Sequence, residues 1–245
     1  SFNLIAPFFA KHFYFIAVDF PGHGLSSHIP EGCHYHFVDG IAIVRDIIEA
    51  LEYSKVHLLG HSMGACLASL VGGVLEMMTE SLFLIEGLGP LSAPANTCQH
   101  QLHTYFHQHH HKDLKLARSY DSLKDASEAR ARNGHVSFEI AETLCQRGLK
   151  EVDGKYYWRH DKRLLHATPL RLTEEMVLSC LKGIRTNTAL ITASNGFNFG
   201  EGILEERIKT VKHIQQFHLE GGHHIHMEKP DEIYKAAKVF YNLST

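Results

Sequence analysis

The sequence predicts an α/β architecture, a mostly parallel sheet with helices on both faces and one inserted helical cap. Three observations lead there. Apolar runs of strand length alternate with segments of helical spacing. The runs end in loops rich in glycine, as the carboxyl ends of parallel strands do. A long polar, helix-patterned stretch breaks the alternation once, which assigns residues 1–89 and 186–245 to the core and residues 90–185 to the cap.

The elements justify this in order. Phe2, Leu4, Ile5, Phe8 and Phe9 have the spacing of a short amphipathic helix. Residues 13–18 (Phe-Tyr-Phe-Ile-Ala-Val) form a continuous apolar run suited to a strand buried on both faces. Asp19-Phe20-Pro21-Gly22-His23-Gly24-Leu25-Ser26 follows as a breaker-rich turn. Val38, Ile41, Val44, Ile48 and Leu51 share one helical face. Lys55-Val56-His57-Leu58-Leu59 reads as a strand, and residues 65–71, small and apolar all round, as a buried helix. Residues 81–85 make the next strand, ending at Glu86-Gly87-Leu88-Gly89-Pro90. In the cap no buried strand is evident. Its aromatic group Tyr156, Tyr157, Trp158 and Arg159 is read as packing rather than as a binding site. Strand patterns return at residues 189–193 and 214–219. The last helix begins at Pro230, with Asp231 and Glu232 in its first turn.

Composition narrows the function classes. A chain of 245 residues, 44% hydrophobic and 21% charged, is long enough to bury a core and ordinary for a soluble globule. A net charge of −3 leaves no basic footprint for nucleic acid or acidic membranes, so neither is expected as a partner. No apolar stretch reaches membrane-spanning length, and no basic region with a cleavable apolar segment opens the chain. Five widely spaced cysteines make no disulfide framework, which points to a reducing compartment, the cytoplasm. Histidine is unusually abundant, and His100, His103, His107, His109, His110 and His111 crowd together. This cluster is read as a solvated helix or loop, and no metal site is assigned to it.

The chemistry centres on Gly60-His61-Ser62-Met63-Gly64, placed between a strand and a helix. In that context the glycines permit a sharp turn that lifts the Ser62 hydroxyl and aims a helix N-terminus at it. A serine needs a base, and the base needs a group to hold its tautomer. His223 follows a glycine after the last strand, with His224 and His226 as close competitors. For the acid, Ser194-Asn195-Gly196 after the penultimate strand contains no carboxylate, whereas Glu86 ends the strand that follows the serine's helix. Glu86 is the candidate acid, capping of a loop or pairing with an arginine being the alternative.

Asp19-x-Pro21-Gly22-His23-Gly24-x-Ser26, Gly60-His61-Ser62-Met63-Gly64 and Gly222-His223 through Glu228-x-Pro230 together resemble the α/β-hydrolase superfamily. Residues 85–90 and Tyr157-Trp158-Arg159-His160-Asp161-x-Arg163-Leu164 resemble its serine hydrolase-like branch. The resemblance implies an eight-stranded sheet, a helical cap and hydrolysis of an ester-like bond by a Ser–acid–His set without a cofactor. It makes Met63 the backbone N–H donor to the oxyanion. It also implies that the first strands of the family, with a His-Gly loop giving the second oxyanion donor, fall before Ser1. The expected substrate is a small molecule with a carboxylic ester or related acyl bond. A non-catalytic or impaired member of the fold, or a C–C bond hydrolase or perhydrolase on the same residues, are the alternatives.

Overall fold

The computed structural model describes residues 1–110, 119–134 and 136–244, so His111 of the histidine cluster lies outside the described residues. In chain order the elements are α1 (Ala6–Phe9), α2 (Asp39–Ala50), β1 (Val56–His61), α3 (Met63–Val74), β2 (Thr79–Ile85), α4 (Cys98–His110), β3 (Ser119–Tyr120) and α5 (Leu123–Gly134). They continue as α6 (Phe138–Gly148), β4 (Leu149–Val152), β5 (Lys155–Trp158), α7 (Glu174–Leu181), β6 (Asn187–Asn195), α8 (Ile203–Thr210), β7 (Ile214–Gly222), α9 (Ile225–Glu228) and α10 (Pro230–Tyr241). These residues divide into two compact units, Ser1–Tyr35 with His100–Pro169, and His36–Gln99 with Leu170–Thr245.

The second unit is built on a parallel sheet in the order β1-β2-β6-β7, with helices on both faces. β2 is central, and Leu82, Phe83, Leu84 and Ile85 are fully buried, as an apolar run covered on both faces must be. Ala65 and Ala68 of α3, Val177 and Leu181 of α7, and Leu190 of β6 complete that core with Leu82 and Leu84. Gly72 lets α3 lie close on the sheet, because a Cβ there would come within 2.7 Å of Leu82. Arg207 of α8, 1% exposed, fastens the loop after β2. Its guanidinium donates to the Leu88 and Gly89 carbonyls at 2.8 and 3.0 Å and pairs with both Glu174 carboxylate oxygens. That pairing holds the Glu174 carboxyl below its ordinary range.

The first unit corrects two expectations. Residues 13–18 form no strand, and Tyr14 is 84% exposed. Apolar composition alone does not make a strand, since a ladder requires a neighbouring backbone to exchange hydrogen bonds. Here the Phe9 ring meets those of Phe13 and Phe15 in tilted contacts instead. Without residues 13–18, the parallel sheet has four strands among the described residues.

The second correction concerns the aromatic group read as part of a helical stretch. Lys155–Trp158 is β5, the middle strand of a small antiparallel sheet in the order β3-β5-β4. Asp153 and Gly154 join β4 to β5 with φ of 50° and 72°, the positive pair that a tight two-residue hairpin turn demands. Tyr156 and Trp158 pack on Ala126, Cys145 and Leu149 of α5, α6 and β4.

The turn at residues 19–26 is braced by its own side chains. Ser26 Oγ donates to the Asp19 carbonyl at 2.6 Å, and the Leu25 N–H donates to Asp19 Oδ2 at 3.0 Å. Gly24, at φ 52°, sits where a Cβ would strike that carboxylate. The Asp161 N–H donates to the Gly22 carbonyl at 2.8 Å, tying this turn to residues 161–163.

Asp161 carries a pH prediction. Burial opposes its ionisation, but hydrogen bonds from the Arg163 side chain and backbone and from the Tyr35 hydroxyl outweigh this, bringing its carboxyl from 3.8 down to about 2. A depressed folded-state pKa contributes stability that is present above the unfolded value and lost as pH falls through the folded one. Asp161→Asn is therefore expected to cost about 2 kcal/mol at pH 7, with the deficit shrinking from about pH 4 toward pH 2. Urea unfolding of both proteins across that range checks it, and a deficit independent of pH refutes it.

Candidate active site

Four consecutive strands of the parallel sheet deliver the site at their carboxyl ends, where α/β sheets form their crevices. Ser62 follows β1 and caps α3; Glu86 follows β2; β6 runs into the loop at Asn195; His223 follows β7. Registry puts these ends level, with His61 beside Ile85 and Ile85 beside Ile191.

Ser62 has φ 53° and ψ −119°, a conformation costly for any residue with a side chain. Its surroundings hold it there. The Ser62 N–H donates to the Ile85 carbonyl at 2.9 Å, and the Cys66 N–H donates to the Ser62 carbonyl at 2.9 Å. The turn closes so tightly that a Cβ on Gly60 would lie 2.4 Å from the Gly64 carbonyl oxygen, and one on Gly87 would lie 2.6 Å from that of Ser62. Gly60→Ala is expected to destabilise the protein by about 3 kcal/mol, because the methyl meets backbone that cannot swing away. Gly64→Ala, whose Cβ would meet nothing within 4 Å, is the matched control for equilibrium unfolding. Equal stability of the two variants would contradict this account.

His223 is the histidine that reaches the serine. Its Nε2 lies 2.8 Å from Ser62 Oγ, and its Nδ1 lies 3.1 Å from Glu86 Oε2. A carboxylate only accepts, so Nδ1 carries the proton and Nε2 presents its lone pair to the hydroxyl. The loop holding this ring is tied down on both sides. The Gly222 N–H donates to Glu228 Oε2 at 2.7 Å, the Gly221 N–H donates to Ser194 Oγ at 3.2 Å, and His61 Nε2 lies 2.7 Å from the His223 carbonyl oxygen.

Glu86 is 4% exposed and, at φ 56°, is a second strained residue beside the first. The Ala193 N–H donates to its Oε1 at 2.7 Å and the Phe197 N–H to its Oε2 at 2.6 Å. The loop that lacks a carboxylate of its own thus cradles this one. Gly196 makes room, since a Cβ there would sit 2.2 Å from Oε2. Met63 is the first residue of α3, so its backbone N–H has no intrahelical acceptor.

The two competing histidines lie elsewhere. His224 caps α9, and His226, inside its first turn, is fully buried. Their rings sit 5.2 and 4.1 Å from that of His61. Burial drives His61 down to about 3 and His226 down to about 2, so both are neutral imidazoles at physiological pH. Sequence reasoning did not group these three; the repeated histidines at 223, 224 and 226 beside His61 were the available signal.

Residues 1–236 match the model of the alpha/beta hydrolase family. A serine hydrolase-like protein of Danio rerio is 28% identical over 243 residues, covering 95% of this chain and 74% of that protein. A serine hydrolase-like protein of Dictyostelium discoideum is 32% identical over 248 residues, covering 93% and 67%. The crystal structure of a hypothetical protein from Pseudomonas aeruginosa PAO1 superposes with a TM-score of 0.84 at 36% identity, covering 91% of this chain and 79% of that one.

Proposed function

Because this chain belongs to the alpha/beta hydrolase family, in its serine hydrolase-like branch, we propose that it cleaves a small carboxylic ester or related acyl bond through Ser62, His223 and Glu86. The observation that carries the reading is the unbroken hydrogen-bond series from hydroxyl through imidazole to buried carboxylate.

In this reading His223 Nε2 takes the Ser62 proton as Oγ attacks the acyl carbon, and the same proton then passes to the departing alcohol. Glu86, fixed by two backbone donors, stabilises the imidazolium while staying ionised. The Met63 N–H, at the positive end of α3, donates to the oxyanion. Water releases the acyl group by the same steps in reverse. No cofactor enters this chemistry, and the substrate is a small molecule.

A fluorophosphonate probe tests the reading directly, since it reacts with a serine only when a base has activated it. Labelling of the intact protein that disappears in Ser62→Ala is the expected result. Labelling no greater than that of Ser62→Ala would leave a hydrolase scaffold without the activity.

A further inference from the structure

Behind the proposed catalytic set, we propose that His61, His224 and His226 form a binding site for a divalent transition-metal ion of the zinc–copper class, and that its occupancy inhibits the enzyme. Each residue offers one ligand atom, and these atoms all lie within 4.8 Å of one another. Tetrahedral coordination with metal–nitrogen bonds of about 2.0–2.1 Å places nitrogens roughly 3.4 Å apart, so the ligand atoms close by up to about 1.4 Å through side-chain rotation. The three-imidazole set has no carboxylate, which selects zinc, copper or nickel over magnesium or calcium.

The hydrogen bonding of His61 supports the assignment independently. A carbonyl oxygen only accepts, so the contact to the His223 carbonyl requires the proton on Nε2 and leaves the lone pair on Nδ1. An imidazole that ligates through one nitrogen while its other N–H is held by a backbone carbonyl is the usual arrangement at metal sites. His224 and His61 are half-buried, giving the ion a route in and leaving a coordination position for water.

The inhibitory role rests on the proposed triad. The His61 and His224 rings lie 4.8 and 5.5 Å from that of His223. Drawing the three rings onto an ion pulls on His224, the residue after His223, and on the His223 carbonyl that His61 holds, and so shifts His223 Nε2 from its 2.8 Å contact with Ser62 Oγ.

Binding is read without turnover, so its failure is distinct from failure of the hydrolase reading. Zn2+ is titrated into the intact chain against a chromophoric chelator, and Co2+ is added to look for the visible bands of a tetrahedral nitrogen site. One ion per chain is expected, with affinity falling at least tenfold in His224→Gln. His226→Gln, checked for folding by circular dichroism, is expected to do the same. Affinity unchanged in His224→Gln, or lost in a His100→Gln/His103→Gln/His107→Gln variant of α4, overturns the site. Saturating Zn2+ is expected to lower ester turnover at least tenfold, reversibly with EDTA. Zinc bound at these histidines with turnover unchanged overturns the inhibitory role.

Discussion

Ser62→Ala is expected to lower kcat for ester hydrolysis by on the order of 10^4-fold or more, with little change in stability. The methyl group of alanine fits where the serine Cβ already sits, so the strained turn and its backbone hydrogen bonds persist. What disappears is the oxygen that His223 Nε2 approaches at 2.8 Å. Without it the donors and the base have nothing to act on, and a double variant with His223→Ala should be little worse than either single variant, because the groups act as one unit. Steady-state kinetics on an activated ester measure both. Additive losses in the double variant would show that Ser62 and His223 do not share a step.

Glu86→Gln is expected to lower kcat/KM by on the order of 10^3- to 10^4-fold and to cost about 1–3 kcal/mol of stability. Both effects follow from one carboxylate accepting three donors. Ala193, Phe197 and His223 Nδ1 all point at its oxygens. An amide presents one acceptor oxygen and one NH2 group, so at least one of these donors then faces another donor in a buried place. The negative charge that stabilises the imidazolium is gone, and the tautomer of His223 is no longer imposed. Kinetics with parallel urea unfolding separate the two effects. Loss of stability with turnover intact would reduce Glu86 to a fastening for the loop after β6.

The same carboxylate shows where reading the chain reaches its limit. Asn195 marks a loop without an acid, and Glu86 ends a different strand 109 positions earlier. The two meet because β2 and β6 are paired in register, with Ile85 beside Ile191, which aims the Ala193 and Phe197 amides at the Glu86 oxygens. Nothing in the local pattern around either residue encodes that pairing. Residues 155–158 fail for a different reason. The Asp153-Gly154 pair is a hairpin signal in plain view, but the helical character of the surrounding segments masks it. Residues 13–18 fail for a third: their apolar run states a preference that only a neighbouring backbone can satisfy.

By itself, then, the sequence determined the α/β alternation, the strained turn at Ser62 and the order of serine, acid and histidine motifs along the chain. These depend on periodicity and on glycines within a few residues, which are local properties. Only the tertiary structure decided that His223, rather than His224 or His226, reaches Ser62, and that the other two turn toward His61. Three histidines within four positions are nearly equivalent as sequence. The path of one loop, tied by Glu228 and Ser194, separates their rings by several ångströms, and hydrogen-bond chemistry is decided over less than one.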